Sequence, residues 1–410
     1  MRETNLQVSE LGHRGDGVAR TDKGPVYVPG ALPGETVTAN VIDGRAKNPS
    51  FKTLSPDRIT PVCRHYETCG GCALQHLAQA PYLVWKRELV AKALKDRGIV
   101  AEVSDTISAT AGGRRRAVLT ATRAGRHTLL GYHEKASHRL VDVTECPVLD
   151  PAIVNALPGL KSLAGDVLPR KGELRLTVLN TTAGLDVAID KADKGYDRKI
   201  PSLSQKTVEL DLARLSVNGE VLLEIRPPRL DMNGVGLTVA PGGFTQATQA
   251  GEEALSLLVC EGVGKAKTVA DLFSGVGTFA FRLARQANVH AVEGDVGAMA
   301  AFDKALRNAR GLKKVTFERR DLFRRPLVQE ELEPFDAVVF DPPRAGAQAQ
   351  AEQLARSKVK TVLAVSCNPA TFARDVRLLL DGGYTLQSVT PVDQFHYSPH
   401  IEVVALLTRE

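Results

Sequence analysis

Short runs in which apolar and polar residues alternate open the chain, among them Val26-Tyr27-Val28 and Val37-Thr38-Ala39-Asn40-Val41. A period of two puts successive side chains on opposite faces of a strand. Turn signals at Gly15, Gly17, Gly24, Pro29-Gly30 and Pro33-Gly34 separate these runs, so residues 1–58 predict a small β-barrel. Barrels of this size serve as nucleic-acid binders or as plain packing modules. Leu83, Leu89, Val90 and Leu94 then fall at helical spacing and predict a helix over 82–95. Short β segments return between 112 and 238, at 116–122, 174–179, 185–189 and 221–225, which describes a mainly β middle domain. After Pro241 helical and strand segments alternate, at 249–259, 268–273, 278–286, 289–293, 297–310 and 337–340. This alternation predicts an α/β, doubly wound, Rossmann-like parallel sheet whose ligand site lies at the carboxyl ends of its strands. The expected domains are 1–58, 59–238 and 239–410, with residues 81–104 packing on the last.

Composition changes this picture little. A chain of 410 residues, 43% of them hydrophobic, can bury several cores. No run approaches the length of a membrane span, and the start at Met1-Arg2-Glu3 lacks the apolar stretch of a secretory signal. A soluble cytoplasmic monomer is the expectation. The net charge of +6 permits a polyanionic partner but is equally the solvation of an ordinary surface. Arg114-Arg115-Arg116, Arg123, Arg126, His127, His133, Lys135, His138 and Arg139 interleave with β segments and Tyr132. They read as a ribbon for phosphates and unpaired bases, or as a solvated basic face.

Four constellations carry chemistry. In Asp271-Leu272-Phe273-Ser274-Gly275-Val276-Gly277-Thr278 a strand runs into a glycine turn, and Glu293 closes the next strand, where an acid grips ribose hydroxyls. This pattern suits a nicotinamide cofactor as well as S-adenosylmethionine. Asp336 to Arg344 delivers Asp341 into two prolines, which hold a carboxylate rigidly at a strand end. Thr361 to Pro369 places Cys367 where another apolar strand emerges, and Glu402 opens the strand 403–407. A thiol and a carboxylate there form a candidate nucleophile and general base, against the plainer readings of a core cysteine and a strand-edge glutamate. Finally, Cys63, Cys69 and Cys72, with Gly70 and Gly71 between them and Cys146 far downstream, crowd three of the six cysteines into one loop. In a chain without an export signal that crowding suggests metal ligation, by an iron–sulfur cluster or a structural zinc.

Together these residues resemble the uracil-5 RNA methyltransferase family, whose members modify ribosomal or transfer RNA. Gly15-Asp16-Gly17-Val18-Ala19 and Val28-Pro29-Gly30-Ala31-Leu32-Pro33-Gly34-Glu35 resemble a TRAM domain, which implies RNA binding. Ser55 to Arg58 and Cys69 to His76 resemble the loop that holds a [4Fe-4S] cluster in ribosomal members, with Cys146 as its fourth ligand. The resemblance implies a class I methyltransferase domain in which Gln246, Phe273, Gly275, Thr278, Glu293 and Asp341 contact S-adenosylmethionine or the neighbouring base. It implies further that Cys367 is the nucleophile and Glu402 the proton acceptor. Thr278 departs from the family, which often has asparagine there, and the barrel segment Gly44 to Asn48 is thinly basic. The implied activity is methylation of uridine C5, in 23S ribosomal RNA first and in transfer RNA as the alternative. An amino-group methyltransferase has no need of Cys367, a non-catalytic RNA-binding protein has none of an intact Glu293, and a dehydrogenase leaves the Cys367 and Glu402 pair unexplained.

Overall fold

The computed structural model describes residues 3–110 and 112–410, so Met1 and Arg2, on which the signal-free start partly rests, lie outside it. Five strands, Thr4–Leu11, Gly17–Thr21, Gly24–Val28, Thr36–Ile42 and Arg45–Thr53, close into a barrel when the first pairs with the fourth. Closure leaves no free sheet edge. Leu6, Val8, Val26, Val28 and Val37 fill its interior. Glu35 anchors it to the following segment: the buried carboxylate accepts from Leu32 N at 2.8 Å and pairs with Arg58 Nε at 2.6 Å.

The middle of the chain is a seven-stranded sheet, but it is not as purely β as its pattern suggests. Helices Pro151–Val167 and Ile200–Glu209 cover one face, burying Ile153, Leu157, Leu160 and Leu203 against Leu176, Val178 and Val187. The first helix begins at a helix signal that is legible in retrospect: Asp150 caps Ala152 N at 2.8 Å, with Pro151 in the first turn. Pro158, inside that helix, obscures it in a sequence pattern. The hairpin Arg229–Asp231 and Gly236–Thr238 belongs elsewhere, because Leu230, Met232 and Leu237 are buried with the core of the last domain.

That domain holds the site. We number the main strands of its sheet β1 (Thr268–Leu272), β2 (Asn288–Glu293), β3 (Val315–Arg319), β4 (Ala337–Phe340), β5 (Thr361–Ser366), β6 (Thr385–Asp393) and β7 (Glu402–Thr408). They lie in the order β3-β2-β1-β4-β5-β7-β6, all parallel to their neighbours except β7, which runs antiparallel between β5 and β6. Side chains alternate between two cores: Val269, Ala337, Val339 and Leu363 face one, and Ala270, Val338, Phe340 and Val362 the other. Helices on both faces explain why these strands are continuously apolar. Helix Gln79–Lys95 sends Val90 and Leu94 into the second core, far from its neighbours in sequence. The helix expected over 278–286 is shorter, Ala280–Leu283, because the glycine turn extends further before the chain can coil.

Candidate active site

The reversal of strand order between β1 and β4 opens a crevice at the carboxyl ends of the strands, as the topology requires. A cavity of about 710 Å³ fills it, lined by Gln246, Phe273, Gly275, Thr278, Glu293, Asp341, Cys367 and Glu402. Arg344, Phe395 and His400 share the lining.

On the β1–β2 side the backbone is bent to make room. Phe273 has φ of 59°, an uncommon conformation for a side chain of its size, and it turns the chain out of β1. Gly277 has φ of 96°, and a Cβ there would lie 2.6 Å from Phe281 and 2.7 Å from Phe302, so only glycine fits. The Glu293 carboxylate accepts from Gly275 N at 2.9 Å through one oxygen and from Asp295 N at 2.7 Å through the other. It is thereby held in one orientation at the cavity wall. A fixed acid, a glycine turn open to the cavity and room for a nucleoside form a fit for S-adenosylmethionine.

The opposite side carries the reactive groups. Asp341 N donates to Leu272 O at 3.2 Å, which fixes the start of the Asp-Pro-Pro turn against β1. Asn368, directly after Cys367, caps the next helix through Ala370 N at 3.1 Å and donates from Nδ2 to Arg344 O at 3.0 Å. The cysteine turn and the Asp-Pro-Pro-Arg turn are thus tied together. Burial, then the Asp341 carboxylate, pushes Glu402 up to about 8, and burial pushes Asp341 up to about 7. Burial and the same two carboxylates raise the Cys367 thiol to about 11, with Arg344 acting in the opposite direction. Burial thus favours the neutral thiol at Cys367 and draws the titration of the two carboxyl groups beside it toward neutrality.

Sequence reasoning missed Gln394, because a single glutamine eight residues before Glu402 carries no pattern. It is 1% exposed and joins Gln246 to Glu402. Lys86 was missed too: from helix Gln79–Lys95 it pairs with Asp393 and donates to the carbonyl of His400, holding the loop before β7 from beneath.

Cys63, Cys69, Cys72 and Cys146 line a second, small cavity of about 50 Å³ walled by Tyr66, Tyr132, Val143 and Val148. Gly71 N donates to Cys69 Sγ at 3.4 Å. Burial raises the thiols of Cys69, Cys72 and Cys146, that of Cys72 to about 11. Among the described residues no three His, Cys, Asp or Glu side chains converge on a single ion position. The cysteine loop is tied to the loop before β7 through its backbone: Ala73 N and Leu74 N donate to Tyr397 O at 2.7 and 3.1 Å.

Two residues of the arginine run are engaged within the protein. Arg115 is buried and pairs with Glu252, which also holds Arg282 Nη2 at 2.7 Å, and Arg116 Nε donates to Gly243 O at 3.1 Å. Arg123, Arg126 and His127 do lie exposed around a hairpin tip.

Residues 240–410 match the family model of tRNA (uracil-5-)-methyltransferases, and residues 2–48 match that of the TRAM domain. An uncharacterized RNA methyltransferase of Rhizobium meliloti is 48% identical over the full length of both chains. A 23S rRNA (uracil(1939)-C(5))-methyltransferase of Shewanella amazonensis is 34% identical over 98% of this chain and 94% of its own. The crystal structure of a Pyrococcus abyssi tRNA (uracil-54, C5)-methyltransferase in complex with S-adenosyl-L-homocysteine superposes with a TM-score of 0.80, at 26% identity, over 99% of this chain and all of that one.

Proposed function

This chain belongs to the uracil-5 RNA methyltransferase family, and on that premise we propose that it methylates C5 of a uridine in 23S ribosomal RNA through a covalent bond from Cys367 to C6 of the base. The observation that carries the reading is the presence of Cys367, Asp341 and Glu402 in one cavity with the Glu293 and Gly275 cradle. C5 of uracil is too weak a nucleophile to be methylated unaided, and thiolate addition at C6 makes it electron-rich. S-adenosylmethionine, held by Glu293, the Gly275 turn, Phe273, Thr278 and Gln246, supplies the electrophilic methyl group when bound.

The residues of the chain do the rest. The thiol proton of Cys367 leaves to the Asp341 carboxylate before sulfur adds to C6, because burial favours the neutral thiol, and it returns when sulfur is released, so Glu402 stays free as the later acceptor. Asp341 orients the base. Once C5 carries the methyl group, Glu402 takes the C5 proton, the C–H pair becomes the C5=C6 double bond, and the C6–S bond breaks with its electrons returning to Cys367. A base can reach this crevice only out of a stack, so the target is an unpaired or flipped uridine.

The cysteine cavity supports ribosomal RNA and a [4Fe-4S] cluster held by Cys63, Cys69, Cys72 and Cys146. All four thiols line the cavity, beside His65 and Glu145, and four thiolates are the soft set a cluster takes. Iron held there would favour the thiolate forms of Cys69, Cys72 and Cys146, which burial alone disfavours.

The test is incubation with 5-fluorouridine-substituted RNA and S-adenosylmethionine. Fluorine does not leave C5 as a proton does, so a denaturation-resistant adduct at Cys367 is expected with 23S RNA and not with transfer RNA. The similarity in fold to the archaeal transfer RNA enzyme favours the second reading, which trapping on transfer RNA alone supports. No adduct with either RNA, while ordinary RNA is still methylated, overturns the mechanism.

A further inference from the structure

Gln394 uses both ends of its amide, and the ends can be told apart. Its Oε1 faces Ala247 N at 2.9 Å and Thr248 N at 3.5 Å, two backbone donors that only an oxygen can accept from. Its Nε2 must therefore face Gln246 Oε1 at 2.6 Å and Glu402 Oε1 at 3.2 Å. One consequence falls on each partner. Gln246 is locked with its oxygen toward Gln394, so its NH2 is the end left for the cavity. Glu402 has Oε1 engaged, and among the described residues no donor lies within hydrogen-bond distance of Oε2.

We propose that Gln394 is a positioning residue for the methylation reaction, orienting Glu402 so that Oε2 is the atom that takes the C5 proton and holding Gln246 as a donor into the same cavity. The inference rests on the uridine C5 reading above. It goes beyond it by assigning the oxygen and the residue that selects it. An amide N–H pointed at a carboxylate stabilises the charged form, and Gln394 is one of the groups that restrain the upward shift of Glu402. The other charges facing Glu402 come from several elements: Asp341 beyond β4 and Cys367 beyond β5, Arg344 in the turn after Asp341, and Lys86 on helix Gln79–Lys95. None of them donates a hydrogen bond to either Glu402 oxygen. Gln394 is thus the specific handle on that carboxylate, and its loss slows the last step without removing the first.

The experiment compares the full-length protein with Gln394→Met and Gln394→Glu in single-turnover methylation across pH, with adduct formation on 5-fluorouridine RNA measured in parallel. Proton removal needs ionised Glu402, so the rate rises with pH through the pKa of that group. Losing the donor raises that pKa and moves the rise to higher pH, by about one unit for Gln394→Met. Gln394→Glu sets a second carboxylate beside the first and moves it further. At neutral pH and saturating cofactor turnover falls about tenfold or more, while trapping on fluorinated RNA stays within about twofold of the parent. Because Gln394→Glu keeps the side-chain volume, it carries the test if Gln394→Met does not fold. A rise that stays at the parent's pH in a variant that binds cofactor overturns the assignment, as does an equal loss of trapping and turnover. Failure of the parent protein to trap RNA at all strikes the uridine mechanism instead, so the two failures are distinguishable.

Discussion

Lys86 Nζ lies 2.9 Å from Asp393 Oδ1 with both side chains fully buried, 307 residues apart in the chain. Tyr82 donates to the other Asp393 oxygen at 2.9 Å, and Lys86 also donates to the His400 carbonyl. An early helix therefore holds both ends of the loop that leads from β6 to Glu402. Lys86→Met leaves the buried Asp393 carboxylate without its lysine, which costs about 3–5 kcal/mol. Urea denaturation is expected to show that loss, with part of it restored in Lys86→Met/Asp393→Leu, where no lone charge remains.

Glu402→Gln retains the volume of the proton acceptor and removes its function. Cys367 still adds to C6, so an RNA adduct on ordinary, unfluorinated substrate accumulates while turnover falls by about 10²–10⁴. Gel shift under denaturing conditions reads the adduct, and Cys367→Ala abolishes it together with methylation.

Stability has a pH signature from the same group. The folded-state pKa of Glu402 is raised to about 8, so the native protein binds a proton that the unfolded chain gives up in the ordinary carboxylate range. That contribution is fully present at low pH and is lost as pH rises toward about 8. Unfolding free energy is expected to decline more steeply between about pH 5 and about pH 9 in the parent than in Glu402→Gln, which has no proton to lose. Equal slopes in denaturant titrations would count against a protonated Glu402 in the native state.

Glu293 is held by two backbone donors and, among the described residues, makes no other hydrogen bond or ion pair. Glu293→Ala is therefore expected to fold, with a thermal transition within a few degrees of the parent. It should bind S-adenosylmethionine at least about tenfold more weakly, for the loss of hydrogen bonds to a charged acceptor of about 1.5–3 kcal/mol. Calorimetric titration of the cofactor checks both halves.

If the proposed cluster is present, the parent purified without oxygen contains iron and sulfide, and Cys72→Ser and Cys146→Ser lose them. Removal of iron from the parent by a chelator should also weaken RNA binding or turnover, since Ala73 and Leu74 hold the Tyr397 carbonyl in the loop before Glu402. Metal analysis showing zinc and no iron in the parent would overturn the cluster.

Much of this protein was legible in one dimension. Alternation in 1–58 determined a barrel, because a strand's two faces see different surroundings, and continuous apolar runs such as Val338-Val339-Phe340 determined buried parallel strands, because helices cover both faces. Glu293, Asp341 and Cys367 stood out because each sits where a strand ends, Glu402 because it opens one, and Gly277 because it belongs to the glycine turn after β1, all positions local sequence encodes. What local sequence does not encode is contact between distant segments. Gln394 and Lys86 matter only through partners on other elements, and the buried pairing of Arg115 with Glu252 converts a residue that reads as basic ribbon into a structural ion pair. Helix Pro151–Val167 was hidden by Pro158, a local signal that burial against the middle sheet overrides. Local patterning determined the elements and the strand ends that bear chemistry; long-range burial, where desolvation makes every polar partner count, decided which side chains hold them in place.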